Sequence, residues 1–256
     1  MSATRRLSEL AIGLIPILLL LALWQSLTTF NIAPPGLLPP PGAVFARVFQ
    51  LLGDPGFLGQ VATTLYRLFW GFGLAVVVGV SLGIAAVGSP AIGAILRPLV
   101  RVLAPVPKIA LYPAFMLTLG FDHSSKIALV FADALFPILL ATYQGALSVD
   151  TKLVWSARAM GMSRLKCLFT VVLTAALPSI LTGCRISLVI SCIVVFLSEM
   201  ISSTDGLGHL LVRAARNFQT VDMFVPLIAI SALGLLLNAG FNALRAFLLR
   251  GFPEEN

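Results

Sequence analysis

The chain has 256 residues, 59% of them hydrophobic and 11% charged, with a formal net charge of +7. Soluble domains carry about 25% charged residues, so this composition, with a mean hydropathy of +1.01, excludes an ordinary soluble enzyme and describes an all-α polytopic membrane protein. The positive balance does not indicate nucleic acid: there is no Lys/Arg-rich tail or aromatic-interleaved basic patch, and cytoplasmic loops of membrane proteins collect Lys and Arg.

A spanning helix takes about 20 apolar residues. The length therefore holds about six transmembrane helices in one domain, 1–256, and no sizeable soluble unit. Residues 10–30 form an uncharged run behind Arg5 and Arg6. The run is too long for a signal peptide and no small-residue cleavage site follows it, so it reads as a first span with its N-terminus inside. A proline cluster, APPGLLPPPG, then gives an extended loop, and the residues from Ala43 read as a short helix along the outer surface. A second span covers 58–87. Its Gly79 and Gly83 make a small-xxx-small pair suited to close helix contact, and Arg67 near its outer end is placed to snorkel to headgroups.

Residues 88–101 read as an inside turn with Arg97 and Arg101. The third span is irregular, interrupted by Pro98, Pro105, Pro107 and Pro113. Broken spans are tolerated where neighbouring helices or a cavity satisfy the freed backbone groups, so this is either a pathway element or a kinked packing helix. The fourth span runs 126–147 and carries Asp133. The fifth runs 179–199 after a break at Pro178, with Arg185 inside it and Glu199 at its end. A polar stretch comes next in which His209, Arg213 and Arg216 share one face of a short helix, and the sixth span runs 223–247. Ten basic residues fall inside on this topology (Arg5, Arg6, Arg97, Arg101, Lys152, Arg158, Arg164, Lys166, Arg245, Arg250) and three outside (Arg47, Arg213, Arg216). That bias puts both termini in the cytoplasm and the chain in the inner membrane as a multi-pass protein.

Between the fourth and fifth spans lies a charged island, residues 150–166, with Lys152, Arg158, Arg164 and Lys166. It reads as two short helices meeting at Gly161. Asp150 caps the first, Gly161 takes the left-handed conformation at its end, and Ser163 caps the second. Val154, Ala157 and Met160 recur at spacing three with Trp155 beside them. This apolar edge is either a docking surface for a protein or the lipid-facing side of an interfacial helix.

Charges within spans cost roughly 2.5–3.5 kcal/mol on insertion scales. Asp133 and Arg185 either pair with each other, or Arg185 lines a path for an anionic solute, with Asp133 and Glu199 as further path candidates. No catalytic constellation, metal-ligand spacing or phosphate-binding loop is present, so ATP chemistry would belong to a partner. Cys167, Cys184 and Cys192 read as small apolar packing residues.

The island together with the apolar run after it, WSARAMGMSRLKCLFTVVLTAALPSILTGCRISL, resembles the EAA motif of permease subunits of binding-protein-dependent ABC importers. The motif's alanine and arginine match Ala157 and Arg158, its glycine Gly161, and its later proline, glycine and arginine Pro178, Gly183 and Arg185. LLPPPGAVF, RPLVRVLAPVPKIALYPAFMLTLG followed by SSKI, and SEMISSTDGLGHLL resemble segments of the nitrate/sulfonate/taurine branch, so the likeness covers nearly the whole chain. Trp155 and Ser156 stand where the motif usually has Glu and Ala, Thr174 stands where a proline is common, and Lys108 departs from the third-span pattern.

The resemblance implies an importer type I-like permease fold and a second permease subunit, as a homodimer. It implies a cytoplasmic ABC ATPase dimer holding ATP and Mg, and a periplasmic or lipid-anchored solute-binding protein. Val154, Trp155, Ala157, Arg158, Met160, Gly161 and Ser163 would couple to the ATPase, and the solute would be sulfonate- or taurine-like. An ATP-independent secondary transporter or channel is the alternative. It would need ionisable groups spread through several spans, and few are present.

Overall fold

Gly71, Ala75, Gly79 and Gly83 lie four residues apart and are all buried, so they form one flat row on a long helix. A Cβ on Gly71 would stand 2.6 Å from Val130 Cβ, and one on Gly83 2.7 Å from Thr142 Cβ. The two longest-packed helices of the molecule meet along this row. In lipid there is no hydrophobic drive between helices, and close backbone approach supplies the dispersion contact instead.

The computed structural model describes residues 3–32, 34 and 36–252, the first twelve of them as backbone. The side chains of Arg5 and Arg6 and residues 253–256 lie outside the described residues. In chain order come α1 (Ala3–Thr29), α2 (Pro41–Leu51), α3 (Pro55–Gly88) and α4 (Pro90–Leu103). A 3-10 turn (Lys108–Leu111) leads to α5 (Tyr112–Leu119), α6 (His123–Leu147) and α7 (Thr151–Ala159). Next are α8 (Arg164–Cys167), a π turn (Leu168–Val172), α9 (Leu173–Ala175), α10 (Leu177–Ser202), α11 (Leu207–Arg216) and α12 (Thr220–Leu248). The described residues contain no strand.

Among the described residues α3, α6, α10 and α12 are long and apolar enough to cross a membrane, and α4 with the segment to Leu119 makes a fifth crossing if the bent pair is one span. The described apolar part of α1 is Ile15–Thr29. α10 is the central helix, 61% buried over its apolar window, whereas α12 is 11% buried and stands at the edge. Gly145 and Gly183 serve α10 as the α3 row serves α3: their Cβ positions would meet Ser179 Cβ at 2.4 Å and Ala141 Cβ at 2.5 Å.

The third span differs from its sequence reading in two ways. Residues expected to form an inside turn are helical in α4, because Pro90 occupies its first turn, where a missing N–H costs nothing. The break falls after Leu103, and the two halves are bent by 89°. Lys108 sits at this elbow, 6% exposed. Its Nζ donates to the Ala104 carbonyl oxygen at 2.6 Å and lies 4.6 Å from the Phe136 ring centre, so the lysine satisfies backbone left open by the break. Lys126 does the same at the start of α6, donating to Phe121 O at 2.6 Å and Asp122 O at 3.1 Å.

Candidate functional site

The turn between α7 and α8 is built as its residue types dictate. Asp150 accepts from Lys152 N at 2.9 Å and Ser163 from Lys166 N at 3.3 Å, so both helices are capped. At the end of α7 Gly161 has φ +83. The Gly161 amide donates to Arg158 O at 3.0 Å and the Met162 amide to Ala157 O at 3.2 Å. These two bonds are the paired closure of a Schellman turn. Arg158 Nη1 adds a bond to Met162 O at 3.0 Å across the same corner. Two short helices are thereby locked at a fixed angle without an apolar core of their own.

The apolar edge read from spacing divides between two faces. Ala157 is 3% exposed, and Val154 packs against the cluster containing Ile84, Ala146 and Val172. Val154 thus seats α7 on a cluster shared by α3, α6 and the π turn. Trp155 is 70% and Met160 76% exposed, with Leu153 and Leu165 also open. The outward surface is thus Trp155 and Met160 beside the exposed Lys152, Arg158 and Ser163. The corner holds Trp155 and Met160 away from its own fold.

At the opposite end of the bundle the chain ties a polar knot. The expectation that Arg67 snorkels to headgroups is corrected: it is 1% exposed. Its Nη1 donates to Glu199 Oε1 at 2.8 Å, its Nη2 to Asp205 Oδ1, and its Nε to His123 Nδ1 at 3.1 Å. Thr64 Oγ1 donates to Glu199 Oε2 at 2.9 Å and accepts from Leu207 N at 3.0 Å. Insertion of a charge into a span is costly, and here a full set of partners offsets it. Burial works to raise the Asp205 carboxyl, but the Arg67 guanidinium outweighs it and holds this loop aspartate below the ordinary range.

The three path candidates are not brought together. Glu199, 1% exposed, is enclosed in the knot. Asp133 and Arg185 do not pair: Arg185 Nε donates to Asn238 Oδ1 of α12 at 3.0 Å, while Asp133 is half-buried on α6. Thr64, His123 and Asp205 were missed by the sequence reading, and Arg67 was placed at the surface. The available signal was Arg67 and Glu199, opposite charges near the same end of two spans.

Comparison with known proteins places this geometry. Residues 75–252 match the family of binding-protein-dependent transport system inner membrane components. The taurine transport system permease protein TauC of Escherichia coli (strain K12) is 33% identical over 242 residues, covering 92% of this chain and 87% of that protein. The putative aliphatic sulfonates transport permease protein SsuC of Bacillus subtilis (strain 168) is 31% identical over 238 residues, covering 93% of this chain and 86% of its own. Among solved structures, the inward facing MetNI methionine ABC transporter superposes with TM-score 0.65 at 20% identity, covering 75% of this chain and 95% of that one, which shows the fold of an ABC importer permease. On the family match and on these relatives, the chain belongs to the binding-protein-dependent transport system inner membrane components and is a multi-pass transporter subunit.

Proposed function

We propose that this chain is the membrane subunit of an ATP-driven importer for small sulfonate-type anions and works as a pair of identical copies. Relatives named for taurine and aliphatic sulfonates support the solute class. The observation that carries the coupling reading is the Schellman corner at Gly161, which holds Trp155 and Met160 outward on an anchored helix. A helix that transmits force must be anchored on one face and free on the other, and α7 is both. The α7 corner then faces the cytoplasm with both termini, where the basic residues collect.

In this reading α7 sits in a groove of a cytoplasmic ATPase, and the ATPase alone binds ATP and Mg. Closure of the ATPase pair moves the two α7 corners together, and the anchored faces pass that motion to α3, α6 and α10 as rigid bodies. Access then alternates across the interface between the two copies, fed from outside by a solute-binding protein.

The test is co-purification of the chain with a co-expressed ABC-type ATPase, together with taurine uptake into vesicles supplied from outside with the solute-binding protein. Wild type is expected to carry the ATPase and to take up taurine only with ATP inside. Trp155→Asp combined with Met160→Asp is expected to lose both while keeping its level in the membrane. Uptake that proceeds without ATP, or an ATPase that fails to associate with the wild type, defeats the reading.

A further inference from the structure

We propose that the cavity between α11 and the end of α10 is a reception site for a small oxyanion, at the mouth of the bundle opposite the α7 corner. The cavity has a volume of about 530 Å³, within the roughly 300–1,000 Å³ range of small-ligand sites. His209, Arg213 and Arg216 stand at positions i, i+4 and i+7 of α11, hence on one face, and all three line it. Among the described residues neither arginine makes an ion pair or a side-chain hydrogen bond, in contrast to Arg47, which is paired to Asp222 at 2.7 Å, and to Arg67. Two guanidinia left unpaired over one cavity favour an anion from water.

The facing wall fits such a ligand. It carries the hydroxyls of Ser202, Ser203 and Thr204. Ser203 serves Asp205 and Arg67, and Ser202 meets Tyr112 Oη at 3.1 Å, while the exposed Thr204 hydroxyl has no such partner among the described residues. Asp122 is the carboxylate on the lining, where the two arginines outnumber it. Met200, Ile201 and Val212 supply an apolar side for the organic part of a solute. Arg213 also borders a smaller cavity of about 250 Å³ lined by Asp54 and Asp222, and Asp222 is already engaged by Arg47.

The knot fixes the backbone that carries this site. Arg67, Glu199 and Thr64 clamp the turn that starts α11 through Asp205, Leu207 and Gly208, so binding has to order only the two arginine side chains. Both guanidinia are exposed, which keeps the hold weak. A site on a conduction route has to bind well enough to collect its solute and weakly enough to release it.

The proposal rests on the anionic-solute reading above and is tested apart from it. The full chain is placed in phosphatidylcholine nanodiscs, and the fluorine NMR line of trifluoromethanesulfonate is monitored. Wild type is expected to broaden the line, and excess methanesulfonate to reverse this. Arg213→Gln with Arg216→Gln is expected to weaken binding about tenfold or more, and the paired lysine variant to retain part of it. Adding phosphatidylglycerol should leave the broadening in place. No broadening by wild type, equal broadening by the glutamine pair, or its loss to phosphatidylglycerol, which would mark a lipid phosphate site, overturns the proposal. Each of these leaves ATPase association and ATP-driven uptake to be judged separately, and loss of those leaves the NMR result intact.

Discussion

The Gly208 amide donates to Glu199 Oε2 at 3.1 Å, and a Cβ on that glycine would lie 2.4 Å from the Phe196 carbonyl oxygen. Gly206 is as confined: at φ +95 its Cβ would meet Glu199 Cδ at 2.3 Å. The glycines therefore exist to bring backbone against a buried carboxylate, and there is no room for a methyl group. Gly208→Ala is expected to lower stability by about 1–3 kcal/mol, the range for overpacking, read as a fall in the thermal midpoint of the purified chain. Gly73→Ala on α3, where nothing lies within 4 Å, is expected to be neutral or to stabilise by up to about 1 kcal/mol. Equal behaviour of the two variants would contradict the close approach.

Arg67 and Glu199 bury opposite charges 2.8 Å apart, with side-chain exposures of 2% and 0%. Removing one partner strands the other in a low-dielectric setting, at about 3–5 kcal/mol. Arg67→Met and Glu199→Leu should each reduce folded protein in the membrane severely. The double variant should recover a measurable part, because no buried unpaired charge remains between α3 and α10 and only the partly exposed Asp205 loses its partner. A double-mutant cycle on unfolding midpoints measures this coupling, and simple additivity would show that the pair is not a unit.

Asp205 gives the knot a pH dependence with a definite sign. Its carboxyl is held below the ordinary range by Arg67 despite burial. A carboxylate with a lowered native pKa contributes stability above its unfolded value, about 3.9, and that contribution disappears as pH falls through the native one. Wild type should therefore exceed Asp205→Asn in thermal midpoint at neutral pH. The two should converge under acid conditions below about 3.9. A gap that persists unchanged into acid would assign the effect to shape and not to charge.

Local rules were legible in the sequence where a single residue type carries the reason. Asp150, Gly161 and Ser163 cap and turn as their chemistry demands, and the Gly79 and Gly83 pair does face a neighbouring helix. The α4 helix was hidden because four prolines suggest interruption throughout, whereas Pro98 is carried inside α4, Pro113 sits in the first turn of α5, and the real break takes only residues 104–107, with Pro105 and Pro107. The partner of Arg185 was hidden for a different reason. Asn238 is 53 residues away on α12, and nothing in a charge pattern selects a neutral amide over Asp133. Likewise, Arg67 is buried only because Glu199, Asp205 and His123 converge from three other parts of the chain.

The division of α7 into two faces gives the proposed coupling role a test separate from folding. Ala157 is 3% exposed, so Ala157→Leu forces methylenes into a closed contact and is expected to cost about 1–3 kcal/mol. Trp155, 70% exposed, touches little of its own fold, so Trp155→Ala should change stability by no more than about 0.5 kcal/mol. It should nevertheless reduce ATP-driven taurine uptake and ATPase retention, since a large exposed aromatic is the kind of anchor that dominates an interface. Parallel measurement of thermal midpoint and uptake in both variants decides the matter. If Trp155→Ala lowers the midpoint as far as Ala157→Leu does, the tryptophan belongs to the fold. If it leaves uptake unchanged, the proposed coupling role of Trp155 is wrong.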